Sequence, residues 1–171
     1  MRDFKPSVTV AAVIFHQGRF LLVEEETVAG VRLNQPAGHL DAGETLVHAV
    51  VREALEETAH HVIPEALIGV YLARFVHAES ATDVTYLRFA IACRLDSERA
   101  GGALEAGRSL DQGILRALWL DPETLRARRA EHRSDLVLQV VDDFDAGRRL
   151  PLDCLRAGSD FLRSAVETAA R

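Results

Sequence analysis

A chain of 171 residues, 48% apolar and 27% charged, has the size and make-up of one globular domain with a single substantial core. Its net charge of −6 argues against a nucleic-acid polymer as partner, because a phosphate backbone calls for a basic face. No apolar run approaches membrane-spanning length and the N-terminus lacks a signal-peptide pattern, so the expectation is a cytoplasmic protein with no membrane partner.

Val8 to Phe15 is an apolar, β-rich run, Gln17-Gly18-Arg19 reads as a hairpin turn, and Phe20 to Glu25 as the return strand. Glu24, Glu25 and Glu26 read as a solvated strand end, with a second metal site as the alternative. Ala29-Gly30 marks another turn. The segment from Asn34 to Glu44 is rich in turn residues, and Gly38 and Gly43 can take positive φ or let backbone approach a ligand.

A helix is predicted from Thr45 to Thr58, with Val47, Val51, Ala54 and Leu55 as the apolar stripe that meets the core. At ~100° per residue, Glu53, Glu56 and Glu57 fall within an arc of about 100°, away from that stripe. Glu53 and Glu57 are a like-charged i, i+4 pair near the negative end of the helix dipole, which disfavours the bare protein by a few tenths of a kcal/mol for each effect. Hard carboxylate oxygens on one rigid face suit Mg²⁺ or Mn²⁺; a solvated acidic face is the bland alternative. Glu44 and Arg52, of opposite charge, would pin the loop to the helix and aim the carboxylates.

Val62 to Phe75 and Thr85 to Leu95 read as strands, and the polar segment between them, Ala78 to Asp83, as a surface loop near a substrate opening. Ser97 to Gly107 is acidic, Gly-rich and expected to be mobile. Ile114 to Leu120 reads as a strand, and Asp121-Pro122-Glu123 as a helix start with a capping Asp and Pro at the first position. Ser134 is the predicted cap of a helix from Asp135 to Ala146, closed by Gly147. Pro151 to Leu155 reads as a short extended piece and Ser159 to Ala170 as a terminal amphipathic helix. Cys93 and Cys154 are far apart among apolar residues and read as buried thiols of a reducing compartment. His39, His48, His60 and His61 lack a tetrahedral zinc spacing and read as structural or surface residues. From pattern alone the fold is α+β or α/β.

Gly38, Glu44, Arg52, Glu53, Glu56 and Glu57 stand in the register of G-x5-E-x7-R-E-U-x-E-E-x-G-U, U being a bulky aliphatic residue, so the chain resembles the Nudix hydrolases. Ala54 replaces the first U, Ala59 the helix-ending Gly, and His60 the last aliphatic residue. Ala in a left-handed cap is strained by ~1 kcal/mol, so the helix is expected to run on by a turn or to end differently near His60-His61. Within that superfamily the chain is similar to the NudJ phosphatase branch. The segments that carry the likeness are 4–10, Val23-Glu24-Glu25, 34–40, Tyr86-Leu87-Arg88-Phe89, the Trp119 region and His132-Arg133-Ser134, where Asp135 replaces a Pro.

The resemblance implies a mixed β-sheet sandwiched between α-helices, with residues 1–155 as the Nudix domain and 156–171 as its helical tail. It implies Mg²⁺ (or Mn²⁺) held by Glu53, Glu56, Glu57 and the Gly38 carbonyl. Glu53 is the choice for general base, with Arg52 orienting Glu44 and the loop. Arg88, Arg133 and Asp111 are the candidates for substrate binding, and Trp119 a further one; the alternatives are surface or ion-pair arginines, a polar loop residue and a core tryptophan. Leu33 stands where these proteins often carry Trp, so ring stacking is expected to be missing there. The implied activity is hydrolysis of a diphosphate linkage in nucleoside di- or triphosphates or in thiamine-pathway pyrophosphates, by a monomer or homodimer acting on a small phosphorylated substrate. An ADP-ribose or dinucleotide pyrophosphatase, and a non-catalytic phospholigand-binding regulator, are the competing readings.

Overall fold

The computed structural model describes residues 4–77, 82–99, 108–158 and 161. Of the loop predicted over Ala78 to Asp83, residues 78–81 lie outside the described residues, while Thr82 and Asp83 pair as strand with His77 and Val76; most of the acidic Gly-rich segment and the terminal helix over 159–170, Phe161 apart, also lie outside.

Among the described residues, seven strands and three α-helices follow in the order β1 (Ser7–His16), β2 (Arg19–Thr27), β3 (Gly30–Asn34), β4 (Ala37–His39), α1 (Leu46–Thr58), β5 (Val62–His77), β6 (Thr82–Leu95), β7 (Ile114–Leu120), α2 (Pro122–Ala127) and α3 (Leu136–Asp145). The sheet is mixed: β1 runs parallel to β6, while β1–β4, β5–β6, β2–β3 and β2–β7 are antiparallel. Gln17 and Gly18 both take positive φ (48° and 77°), as a two-residue hairpin requires, and so join β1 to β2.

β1 is buried on both faces, which explains its unbroken apolar run. Val10, Ala12 and Ile14 pack with Ala49, Val50 and Ala54 of α1 in one core; Val13 packs with Val137, Val140 and Val141 of α3 in the other. The sheet is therefore sandwiched between helices.

Several local expectations change. Two short strands, β3 and β4, occupy what reads as turn and loop: β3 folds back on β2 as a hairpin, whereas β4 pairs with β1, which is distant in sequence. Asp121 caps α2, its Oδ1 accepting the Thr124 N–H at 2.8 Å. Ser134 does not cap α3 with its side chain; its carbonyl accepts the Val137 N–H instead, and Asp135 occupies the cap position. Leu152–Cys154 is a 3-10 turn, not an extended piece. Cys93 is buried as expected, whereas Cys154 is exposed.

The acidic triplet at the end of β2 is not a solvated strand end. Glu24 is buried and accepts from Arg116 (2.6 Å) and Arg128 (3.0 Å), which tie β2 to β7 and to the chain after α2. Burial opposes its ionisation, but the Arg116 hydrogen bond outweighs burial and holds the carboxyl below its ordinary value. Glu26 alone of the three is exposed.

Candidate active site

Of the expected stripe of α1 only Ala54 lies on the face that goes deepest. Val47, Val51 and Leu55 are only partly buried, while Ala49, Val50, Glu53, Ala54 and Glu57 are buried. These five follow a 3, 4 spacing, so two carboxylates lie on the innermost line of the helix. The physical reason is β4: this short strand and its flanks pack against α1, and the Ala37 N–H donates to Glu57 Oε2 at 2.9 Å. A Cβ added to Gly38 would overlap the Glu53 carboxylate, so only glycine lets the loop close this tightly.

Thr45 caps the helix, its hydroxyl accepting the His48 N–H at 3.2 Å. At the other end Ala59 takes φ 56°, the left-handed cap despite its side chain, and donates to the Leu55 carbonyl. The helix stops at Thr58 and does not run on. Its next carbonyl, Glu56 O, accepts the Asp111 N–H at 3.0 Å, which draws Asp111 to the helix end.

Arg52 links the loop to the helix, as the opposed charges lead one to expect. Its Nε and Nη2 donate as a fork to Glu44 Oε1 and Oε2, both at 2.9 Å, and Nη2 also reaches the His39 carbonyl. Its Nη1 donates to Glu53 Oε1 at 2.7 Å and to Glu56 Oε2 at 3.0 Å. Burial opposes the ionisation of Glu44, but these bonds hold its carboxyl below the ordinary value.

The other carboxylates shift the opposite way. Burial raises Glu53 against the pull of Arg52, and Glu56 and Asp111 push it further up. Burial takes Glu57 to about 8, with Glu53, Glu25 and Asp111 adding to the rise. Negative charge here is undercompensated. As the side chains stand, no three of His, Cys, Asp or Glu among the described residues converge on one metal position. Arg52 Nη1 engages an oxygen each of Glu53 and Glu56, and Ala37 one of Glu57. The donor set nevertheless fits a hard divalent cation: oxygen ligands, a glycine cradle, and buried carboxylates that Arg52 answers only in part.

Beside this cluster lies a cavity of about 180 Å³ lined by Thr9, Glu25, Asn34, Gly38, Arg88 and Arg133 among others. Arg133 is placed by its own backbone, whose N–H donates to the Leu33 carbonyl at 2.8 Å. Arg88 Nη1 donates to Asn34 Oδ1 at 3.3 Å. Burial lowers the Arg88 pKa; Glu25 counters this and Arg133 adds to it, so the two guanidinium groups face one another's charge. Glu25 answers them loosely, 3.7 Å from Arg133, and its Oε1 is buried without a hydrogen-bond partner, as is Thr9 Oγ1. A larger, more open hollow of about 430 Å³ is mostly apolar and meets the acidic helix only around Glu44 to Leu46.

Arg88 and Arg133 thus come together. Asp111 does not join them; its charge bears on Glu53 and Glu57 instead. Trp119 lines none of these hollows and packs edge-on against His60. The sequence reading places Glu25 in a solvated strand end or a second metal site, not in the substrate cleft. Glu25 lies four residues beyond Leu21 on one strand, hence on the face that packs toward α1, and that alternation was the available signal.

The description "NUDIX domain" matches residues 4–140 of this chain. The chain belongs to the Nudix family. It is 38% identical over 154 residues to proteins named "Phosphatase NudJ" from Shigella boydii and Escherichia coli K12, covering 89% of this chain and 92% of each relative. A solved Nudix hydrolase from Nitrosomonas europaea superposes with a TM-score of 0.78 at 44% identity, over 90% of this chain and 98% of that one. A UDP-X diphosphatase, 18% identical with a TM-score of 0.63 over 88% of this chain and 68% of that one, shares the fold. This Nudix protein is accordingly a hydrolase of phosphorus anhydrides, from a family that works with divalent metals.

Proposed function

We propose that the protein hydrolyses the diphosphate linkage of a small phosphorylated substrate, with Mg²⁺ or Mn²⁺ held by Glu53, Glu56, Glu57 and the Gly38 carbonyl. The observation that carries this reading is the burial of Glu53 and Glu57 on the innermost line of α1, where burial raises both pKa values. A folded protein keeps such a pair at a cost unless a cation relieves it. Asp111 sides with these carboxylates, since its charge adds to theirs.

When bound, the cation supplies polarised water and positive charge for the phosphoryl oxygens. Glu53, buried on the same line of α1 as Glu57, takes the proton of the attacking water. The water oxygen bonds to phosphorus, the bridging P–O bond breaks, and the phosphate or phosphate ester leaves. Arg52 and Glu44 position the loop and the carboxylates. Arg88 and Arg133, two neighbouring cations that Glu25 answers only loosely, hold the substrate phosphates.

The substrate classes we infer are nucleoside di- and triphosphates or thiamine-pathway pyrophosphates, such as hydroxymethylpyrimidine pyrophosphate and thiamine pyrophosphate. Similarity to proteins named as phosphatases supports release of inorganic phosphate. A cytoplasmic working place belongs to the same proposal, supported by the two free thiols. The test is a substrate panel with Mg²⁺, Mn²⁺ or EDTA, read by product identity, repeated for Glu56→Gln and Glu57→Gln. Activity should need the metal and fall by at least about a hundredfold in each variant. Full activity in EDTA, or in both variants, defeats the assignment; nucleoside monophosphate from ADP-ribose or a dinucleotide as the main product points to the pyrophosphatase class.

A further inference from the structure

A second cavity, of about 140 Å³, adjoins the one that holds Arg88 and shares Phe75, Tyr86 and Arg133 with it. Its character differs: Val28, Val84, Phe75 and Tyr86 give it apolar walls. The two together sit at the small end of the ~300–1,000 Å³ typical of small-molecule sites.

The sheet explains how they connect. Val84, Tyr86 and Arg88 alternate along β6 and so share one face, about 7 Å from one to the next. Opposite them on β5 stand Phe75, Ala73 and Tyr71. Ala73 faces Tyr86 directly and lines the inner cavity, where its small side chain leaves room beside the ring. The rings form a file. His39, next to Gly38, lies 5.9 Å from Tyr86, and Tyr86 lies 5.6 Å from Phe75 at an interplanar angle of 80°. This file leads from the glycine against the acidic helix, past the arginines, to the outer cavity. Leu33 offers no ring platform of its own, being 1% exposed within the α3 core. Thr9 Oγ1, buried in the same cleft without a hydrogen-bond partner, is a second sign that a polar ligand belongs there.

We propose that Phe75 and Tyr86 form a ring-binding subsite that selects diphosphates carrying a flat aromatic group over those without one. This rests on the cleft being the substrate site of the proposed hydrolase. The phosphates lie over Arg88 and Arg133, and the ring packs against Tyr86 and Phe75 in the outer cavity. Aromatic side chains accept any flat ring without base-specific hydrogen bonds, so the subsite distinguishes ring from no ring and not one base from another.

The test compares wild type with Tyr86→Leu, Phe75→Leu and Tyr86→Phe on two substrates, a nucleoside diphosphate and an alkyl diphosphate with no ring. Melting temperatures establish that each variant is folded; if one leucine variant is not, the other carries the test. The expected result is a KM about tenfold higher for the nucleoside diphosphate in each leucine variant, with kcat changed less than about twofold. The alkyl diphosphate should be hydrolysed as by wild type, and Tyr86→Phe should behave as wild type on both. Unchanged KM values in folded leucine variants, or an equal rise for both substrates, overturn the subsite. Should wild type hydrolyse neither substrate, the nucleoside diphosphate reading of the proposed function fails by itself. The subsite is then decided by calorimetric Kd values for the nucleoside diphosphate, which must weaken about tenfold in the leucine variants.

Discussion

Glu57 should make the metal-free protein lose stability as pH rises. Its carboxyl titrates near 8 in the fold and near the ordinary 4.5 once unfolded, because burial disfavours its charge. Between those values the folded state holds a proton that the unfolded state has released. Stability is therefore complete below about pH 4.5 and is lost as pH climbs toward 8. Where nearly one whole proton separates the states, between about pH 6 and 7.5, the slope approaches ~1.4 kcal/mol per pH unit. The loss over that window is about 2 kcal/mol, or roughly 4–8 °C in Tm for a chain of this size. Glu57→Gln keeps an oxygen for the Ala37 N–H and cannot titrate. Thermal unfolding in EDTA at a series of pH values should give a falling curve for wild type and a flatter one for the variant. His60 and His132, both held below the ordinary histidine value by burial, titrate in both proteins and cancel in the difference. Curves that stay parallel from about pH 6 to 7.5 refute the reasoning, since they place the Glu57 proton elsewhere.

Two other substitutions probe the frame of the site. Gly38→Ala sets a methyl against the Glu53 carboxylate, the far end of a flexible side chain, so stability should fall only about 1–2 kcal/mol while activity falls about a hundredfold or more; denaturation midpoints and steady-state rates measured on one preparation check the split. Ala59→Gly relieves the left-handed cap but loses a buried methyl and adds freedom to the unfolded chain, leaving stability within about 0.5 kcal/mol of wild type. Ala59→Val places a branched side chain at φ 56° and should lose about 2 kcal/mol or more in the same urea titration.

The family, the acidic helix and the main strands were legible in the sequence, because each rests on local information. The spacing from Gly38 to Glu57 is a property of the chain itself, and the β1–β2 hairpin follows from apolar runs around Gln17-Gly18. What only the tertiary structure decided is which side of each element is inside. Helical periodicity marks Val47, Val51 and Leu55 as the inner face of α1, yet β4 packs over the carboxylate side and buries Glu53 and Glu57 instead. The same holds for Glu24 and Glu25, whose surroundings come from residues about a hundred positions away, Arg128 and Arg133. Burial and pairing depend on what the fold brings alongside, and no periodicity within a single segment records its partner.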